Sequence, residues 1–137
     1  RGQLLECVEK DAAALAPLAK AYAIPKDDPQ RGKTLEACLA AAAAPPMEVL
    51  ELTGRTIELL RGFADMGSPI AVSDAAVGAA LALAALRGAE INVRVNTRLM
   101  HDRERAAALD ARARALVDKY ARQAEKIYDD VYGRLAR

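Results

Sequence analysis

Asn92 and Asn96 stand four residues apart in the stretch GAEINVRVN, residues 88–96, and therefore share one face of any helix that carries them. An amide presents an acceptor and two donors, so such a pair can hold the edge of a polar heterocycle or tie one helix to its neighbour. Asp74 lies eighteen residues earlier, five whole helical turns, on the same azimuth as Asn92. Gly78, Ala85, Ala89 and Asn96 fall within about 40° of that line, and Arg87, Arg94 and Arg98 gather on the opposite side. Two readings stay open for this face. The amides fix the register of a packed helix, or, beside small residues that admit a flat molecule, they meet a ligand. Asp74 and Asn92 are about 27 Å apart along the axis, so on one chain they cannot serve one reacting atom. They could act together only across a subunit contact or at the two ends of an elongated ligand.

The other groups say less. His101, with Asp102 and Glu104, has no second histidine or nearby cysteine, and no metal site is expected. Lys26 and Arg31 flank a loop and could grip an anion. Neither a glycine-rich phosphate loop, a GxSxG elbow nor a Cys/His pair occurs. Cys7 and Cys38 form no CxxC pair and read as small buried thiols in a reducing compartment.

Helices must position all of these. The chain of 137 residues suits one domain, is 53% hydrophobic, and has only 4% aromatics and no tryptophan, so its core is built from Ala, Leu, Val and Ile. With 20 basic and 19 acidic residues it lacks the basic surplus of a nucleic-acid binder. No apolar run reaches the roughly 18–20 residues of a membrane span, and the longest, Ala75 to Leu86, ends at Arg87. A cytoplasmic location with neither nucleic-acid nor membrane partners is the expectation.

Apolar periodicity predicts five helices and no strand: about 3–22, 30–43, 46–64, a fourth starting at Ser73 and running to about 100, and 103–135. Pro25, Pro29, Pro45, Pro46 and Pro69 punctuate them. Ser73 is read as the N-cap of the fourth helix, with Asp74 adding negative charge at its positive end. The third should bury one side from Val49 through Leu60 to Phe63. The fifth repeats Leu109, Ala113, Leu116, Tyr120, Ala124, Ile127 and Val131 in steps of three and four, a coiled-coil-like seam. The fold class is all-α, an antiparallel bundle of about five long helices. The fifth offers more seam than four partners of ordinary length can cover, so a homodimer is expected.

The string also resembles the formiminotransferase-cyclodeaminase family, and within it the all-helical cyclodeaminase domain and its free-standing methenyltetrahydrofolate cyclohydrolase relatives. The resemblance rests on VEKDAAAL with AYAIPK and Arg31, AAAAPPMEVLEL, and GSPIAVSDAAVGAALALAALRGAEINVRVN. The family's acidic-Asp-Ala helix is matched at Glu9 to Ala12, and its Leu-Pro-Lys turn with a following Arg at Ile24, Pro25, Lys26 and Arg31. The proline at the end of an Ala-rich helix is matched at Pro45 and Pro46, the Ser-Asp pair at Ser73 and Asp74, and Asn-Val-x-x-Asn at Asn92 to Asn96. It covers about residues 5 to 104. Ile24 replaces the family's leucine, and nothing matches the glycine-rich Pro-Gly-Gly-Gly-Ser turn of the family's N-terminal helical region. The expectation is one domain over residues 1–137 whose natural N-terminal segment lies outside the given sequence.

The resemblance implies folate one-carbon chemistry, interconverting 5-formimino-, 5,10-methenyl- and 10-formyltetrahydrofolate, either by ring closure with loss of ammonia or by ring opening with water. It implies Asp74 and Asp11 as catalytic carboxylates. Asn92 and Asn96 would hold the pterin, and Lys26 and Arg31 the glutamate tail. No metal or cofactor is implied beyond the folate substrate itself, polyglutamylated forms included. The alternative on the same scaffold is a non-catalytic helical dimerisation or folate-binding module.

Overall fold

The computed structural model describes residues 1–135, with nothing described for the side chains of Pro69 and Ile70. Five helices follow one another: α1 (Gly2–Tyr22), α2 (Arg31–Ala42), α3 (Ala44–Met66), α4 (Pro69–Thr97) and α5 (Arg103–Leu135). No strand occurs among the described residues. The bundle is the all-α architecture its periodicities predict. Pro17 lies inside α1 rather than ending it.

Cross-helix ion pairs give the directions. Arg87–Glu125, Glu90–Arg114 and Arg94–Asp110 count upward on α4 while counting downward on α5, so these two are antiparallel. Glu51–Arg112 and Glu58–Lys119 rise together, so α3 and α5 are parallel. These three helices enclose the main core, in which Leu50, Ile57, Leu86, Val93, Ile127 and Val131 are fully buried. Alanine at 75, 79, 113 and 124 lets the helix axes approach closely. Gly54 serves the same end, because the Tyr120 ring occupies the space where its Cβ would stand.

The α1–α2 pair is attached to this trio by a second core. Leu18, Ala21, Leu35, Leu39 and Ala42 close around Met100 and Ala106 at the α4–α5 turn. That turn is braced from several sides. Glu36 accepts from the His101 and Asp102 backbone N–H groups at 2.7 and 3.4 Å, and Arg103 donates to the Thr97 and Met100 carbonyls. Asp102 caps α5 by accepting from the Arg105 N–H at 2.9 Å.

Three expectations are corrected. The fourth helix begins at Pro69, with Ser68 as its N-cap, because proline at a first-turn position lacks only an N–H that would be unpaired anyway. Ser73 and Asp74 therefore sit in the second turn, beyond the N-terminal field that falls off within the first. Phe63 points outward at 61% exposure, because no helix covers the last turns of α3 on that side. The α5 seam is buried within the monomer on α3 and α4, leaving no surplus there for a partner. The surplus apolar surface lies on α4. Residues Ala71–Thr97 are long and apolar enough to cross a membrane by length and composition, although Arg87 interrupts the apolar run, and only a third of the most apolar window is buried in the bundle.

Candidate functional site

Both α1 and α4 rest on the start of α3 without touching each other, and a groove runs between them. Its floor is Pro45, Pro46 and Val49. These prolines seat the first turn of α3 directly after α2, and their rings present an apolar surface with no N–H toward the groove. Two chambers of about 430 and 320 Å³ follow each other along it, and Asp11 and Asn92 line both. Each falls in the size range of small-molecule sites. The first is walled by Leu4, Cys7 and Val8 of α1 and by Ala85, Gly88 and Ala89 of α4. The second continues past Leu15, Tyr22, Val95 and Asn96 to Leu99.

Asp11 is exposed on the α1 wall and faces the amide wall of α4. The helix that carries it is fixed one residue earlier, where the Lys10 ammonium donates to both oxygens of Glu48 on α3 at 2.7 Å. That hydrogen bond, more than the surrounding charge, raises the Lys10 pKa above its ordinary value. Cys7, one turn before Asp11 and 3% exposed, lines the first chamber. Burial first, then the Glu48 carboxylate, push its thiol pKa up, so at neutral pH it is an apolar wall rather than a nucleophile.

The two asparagines divide the open readings between them. Asn96 Nδ2 donates to the Ala42 carbonyl at 3.3 Å, one of the C-terminal carbonyls of α2 that have no helical partner, and to the Asn92 carbonyl at 3.0 Å. Its amide thus joins α4 to α2, and its Oδ1 remains as an acceptor. Asn92, one turn earlier and exposed, lines both chambers.

The remaining sequence candidates lie elsewhere. Asp74 is exposed in the second turn of α4 and lines neither chamber. Arg31 Nε donates to the Ile24 carbonyl at 2.9 Å, bracing the α1–α2 loop. Lys26, exposed in that loop, does not line the groove either. Among the described residues no three His, Cys, Asp or Glu side chains cluster as a metal site requires, and His101 is exposed at the α4–α5 turn. Sequence reading missed the Lys10–Glu48 tie and the wall role of Cys7. Both arise from the packing of α1 on α3, which no local spacing encodes.

The groove is apolar along its length, with one carboxylate opposite one uncommitted amide and a second amide beyond. It can enclose an elongated, partly aromatic molecule, hold a polar edge at the amides, and place a negative charge beside a cationic centre.

Comparison with known proteins gives a family and a shared fold. Residues 1–115 match the profile of the formiminotransferase-cyclodeaminase family. A methenyltetrahydrofolate cyclohydrolase of Methylorubrum extorquens is 27% identical over 135 residues, covering 96% of this chain and 65% of the relative. The fold is shared with the crystal structure of formiminotetrahydrofolate cyclodeaminase from Thermotoga maritima, at a TM-score of 0.77 and 23% identity, again over 96% of this chain and 65% of the other. The chain thus spans a little under two thirds of each of these proteins.

Proposed function

Because the chain belongs to the formiminotransferase-cyclodeaminase family, we propose that the α1–α4 groove binds a tetrahydrofolate carrying a one-carbon unit and catalyses its cyclisation or ring opening. The observation that carries this reading is the pairing of Asp11 with Asn92 on opposite walls of one elongated apolar groove. The pterin edge alternates donors and acceptors, which suits the Asn92 amide and the free oxygen of Asn96. The methenyl carbon lies between N5 and N10 of a cationic amidine, which the Asp11 carboxylate would stabilise.

In the hydrolytic direction, water adds to that carbon and gives its proton to the carboxylate. The bond from the tetrahedral carbon to N5 then breaks as N5 takes that proton back from the carboxylate, and the hydroxyl gives its own proton to solvent as the formyl C=O forms, leaving the 10-formyl product and one proton released. In the deaminating direction, N10 adds to the carbon of the protonated formimino group and gives its proton to the carboxylate, which passes it to the amino group as the carbon–nitrogen bond breaks and ammonia leaves. The same groups serve both. The 27% identity to a cyclohydrolase across nearly the whole chain supports hydrolysis as the primary reaction.

The test is to add the purified protein to 5,10-methenyltetrahydrofolate and follow its near-ultraviolet band against a blank without protein. Accelerated decay supports hydrolysis. Turnover only of 5-formiminotetrahydrofolate, with ammonia released, would assign the deaminase. Absence of both, with folate bound, would make this chain a folate-binding module.

A further inference from the structure

The N-terminal two thirds of α1 form a wall of the groove, and few contacts hold that wall. Of residues 2–16 only Cys7 is buried, whereas Leu18 and Ala21, just after Pro17, are locked into the second core. Pro17 has no N–H to offer the Ala13 carbonyl, so one rung of the helical ladder is missing between the anchored end and the wall. Among the described residues, Lys10 carries the only side chain of α1 that makes a hydrogen bond or ion pair to another element, donating to both Glu48 oxygens at 2.7 Å.

Azimuths around α1 show what that bond controls. At about 100° per residue, Lys10 falls about 60° to one side of Cys7, and Asp11 about 40° to the other. Leu4, Val8 and Leu15, which line the groove with Asp11, fall about 60–100° round on the Asp11 side. The buried Cys7 thus lies between the edge that meets α3 and the edge that meets the groove. One rotation of the helix sets all three side chains.

We propose that Lys10 is a positioning residue for Asp11: its bond to Glu48 fixes the rotation of α1 and so holds the Asp11 carboxylate opposite the amide wall of α4. This rests on the reading of the groove given above. A side-chain tip stands about 5–6 Å from its helix axis, so turning α1 by about 20° carries the carboxylate about 2 Å. A misplacement of about 1 Å can already cost about 100-fold in rate. The pair adds little to folding, because its side chains are 47% and 35% exposed. Its effect lies in direction, since a contact to both oxygens is satisfied at one rotation of the helix.

Three measurements test this. Lys10→Met keeps the stem and removes the ammonium. It should lower kcat for 5,10-methenyltetrahydrofolate by about 10- to 100-fold. The thermal midpoint should fall by no more than about 3 °C. Lys10→Arg, whose guanidinium can also engage both Glu48 oxygens, should restore most of the rate. In an Asp11→Asn background Lys10→Met should cost nothing more, because the group it positions is gone. Iodoacetamide should alkylate Cys7 several-fold faster in the Lys10→Met chain than in the wild type, as α1 turns it outward, with Cys38 as the unchanged internal standard. Charge alone acts the other way. Burial raises the Cys7 pKa and the Lys10 ammonium opposes that rise, so removing it leaves less thiolate. The alkylation needs no turnover, so it decides the placement of α1 even where the folate reading fails. Unchanged alkylation of Cys7, a full further loss from Lys10→Met in the Asp11→Asn chain, or a Lys10→Arg chain as slow as Lys10→Met would each overturn the proposal.

Discussion

Replacing Asp11 by asparagine keeps the side chain's shape and removes only its charge. Asp11 is exposed and holds no structural contact, so stability should stay within about 0.5 kcal/mol of wild type. Its effect on turnover follows from Coulomb's law. A carboxylate about 4 Å from a cationic amidine is worth about 1 kcal/mol in bulk water and about 4 kcal/mol at the effective dielectric of a partly covered site. The empty groove is open, but a bound folate would displace water from both chambers and move the value toward the upper figure. We therefore expect Asp11→Asn to lower kcat/KM for 5,10-methenyltetrahydrofolate by about 100- to 1000-fold, or roughly 3–4 kcal/mol. The split is informative, because the methenyl substrate is itself the cation. Lost ground-state attraction raises KM, whereas lost proton acceptance lowers kcat. Asp11→Glu should restore part of the KM effect. Initial rates from decay of the methenyl band over a range of substrate concentrations separate the two parameters. A change smaller than about fivefold in a variant with unaltered thermal unfolding would remove Asp11 from the mechanism.

Three further expectations concern the frame around the groove. Gly54→Ala gains about 1 kcal/mol of helix propensity but drives a methyl group into the Tyr120 ring, whose hydroxyl is held by Glu58 and Lys119, both at 3.0 Å. Overpacking of about 1–3 kcal/mol should win, lowering the thermal midpoint by several degrees, and the sign should reverse in a Tyr120→Ala background. Asn96→Ala strips the Ala42 carbonyl of its side-chain donor and should cost about 1 kcal/mol by urea unfolding, whereas Asn92→Ala should leave stability unchanged or slightly raised. The Cys7 thiol, raised by burial from its ordinary value of 9.0, should resist iodoacetamide at pH 8 long after Cys38 has reacted. Because the fold holds that proton more tightly than the unfolded chain, Cys7 contributes no pH dependence below about pH 9 and a progressive loss of stability above it, which Cys7→Ala should flatten.

Much of the frame was legible because its causes are local. Ala113, Tyr120, Ala124, Ile127 and Val131 are buried as their spacing requires, although Val117 rather than the half-buried Leu116 fills the step between Ala113 and Tyr120, and the 103–135 span coincides with α5. The Pro45–Pro46 pair marks the α2–α3 junction because proline seats a first turn. Where two starts competed locally, the sequence misled. Ser73-Asp74 looks like a cap, yet Pro69 starts the helix more than a turn earlier, and Asp74 loses the field ascribed to it. The paired asparagines were recognised as unusual, but only packing shows that Asn96 faces the end of α2 while Asn92 is left to the groove. Grouping Arg31 and Lys26 with the site followed chain order. In space, Lys26 and Arg31 line neither chamber, and the Arg31 Nε–H donates to the Ile24 carbonyl.

The contrast between α4 and α5 explains why the groove belongs where it is. Both are long, and both pack along their length on the same core. On α5 the side away from the core is crowded with Arg, Asp, Lys and Glu, as solvent requires. On α4 the charged residues Arg87, Glu90 and Arg94 are turned toward α5, where each has an ion-pair partner, and the outward face is left to Val, Leu, Ile and small residues. Apolar surface in water costs about 25 cal/mol per Å², so covering this face is favourable. α1 covers one half at a distance that leaves room for a ligand, with Asp11 on its wall. The same absence of charge therefore creates the apolar walls of the site.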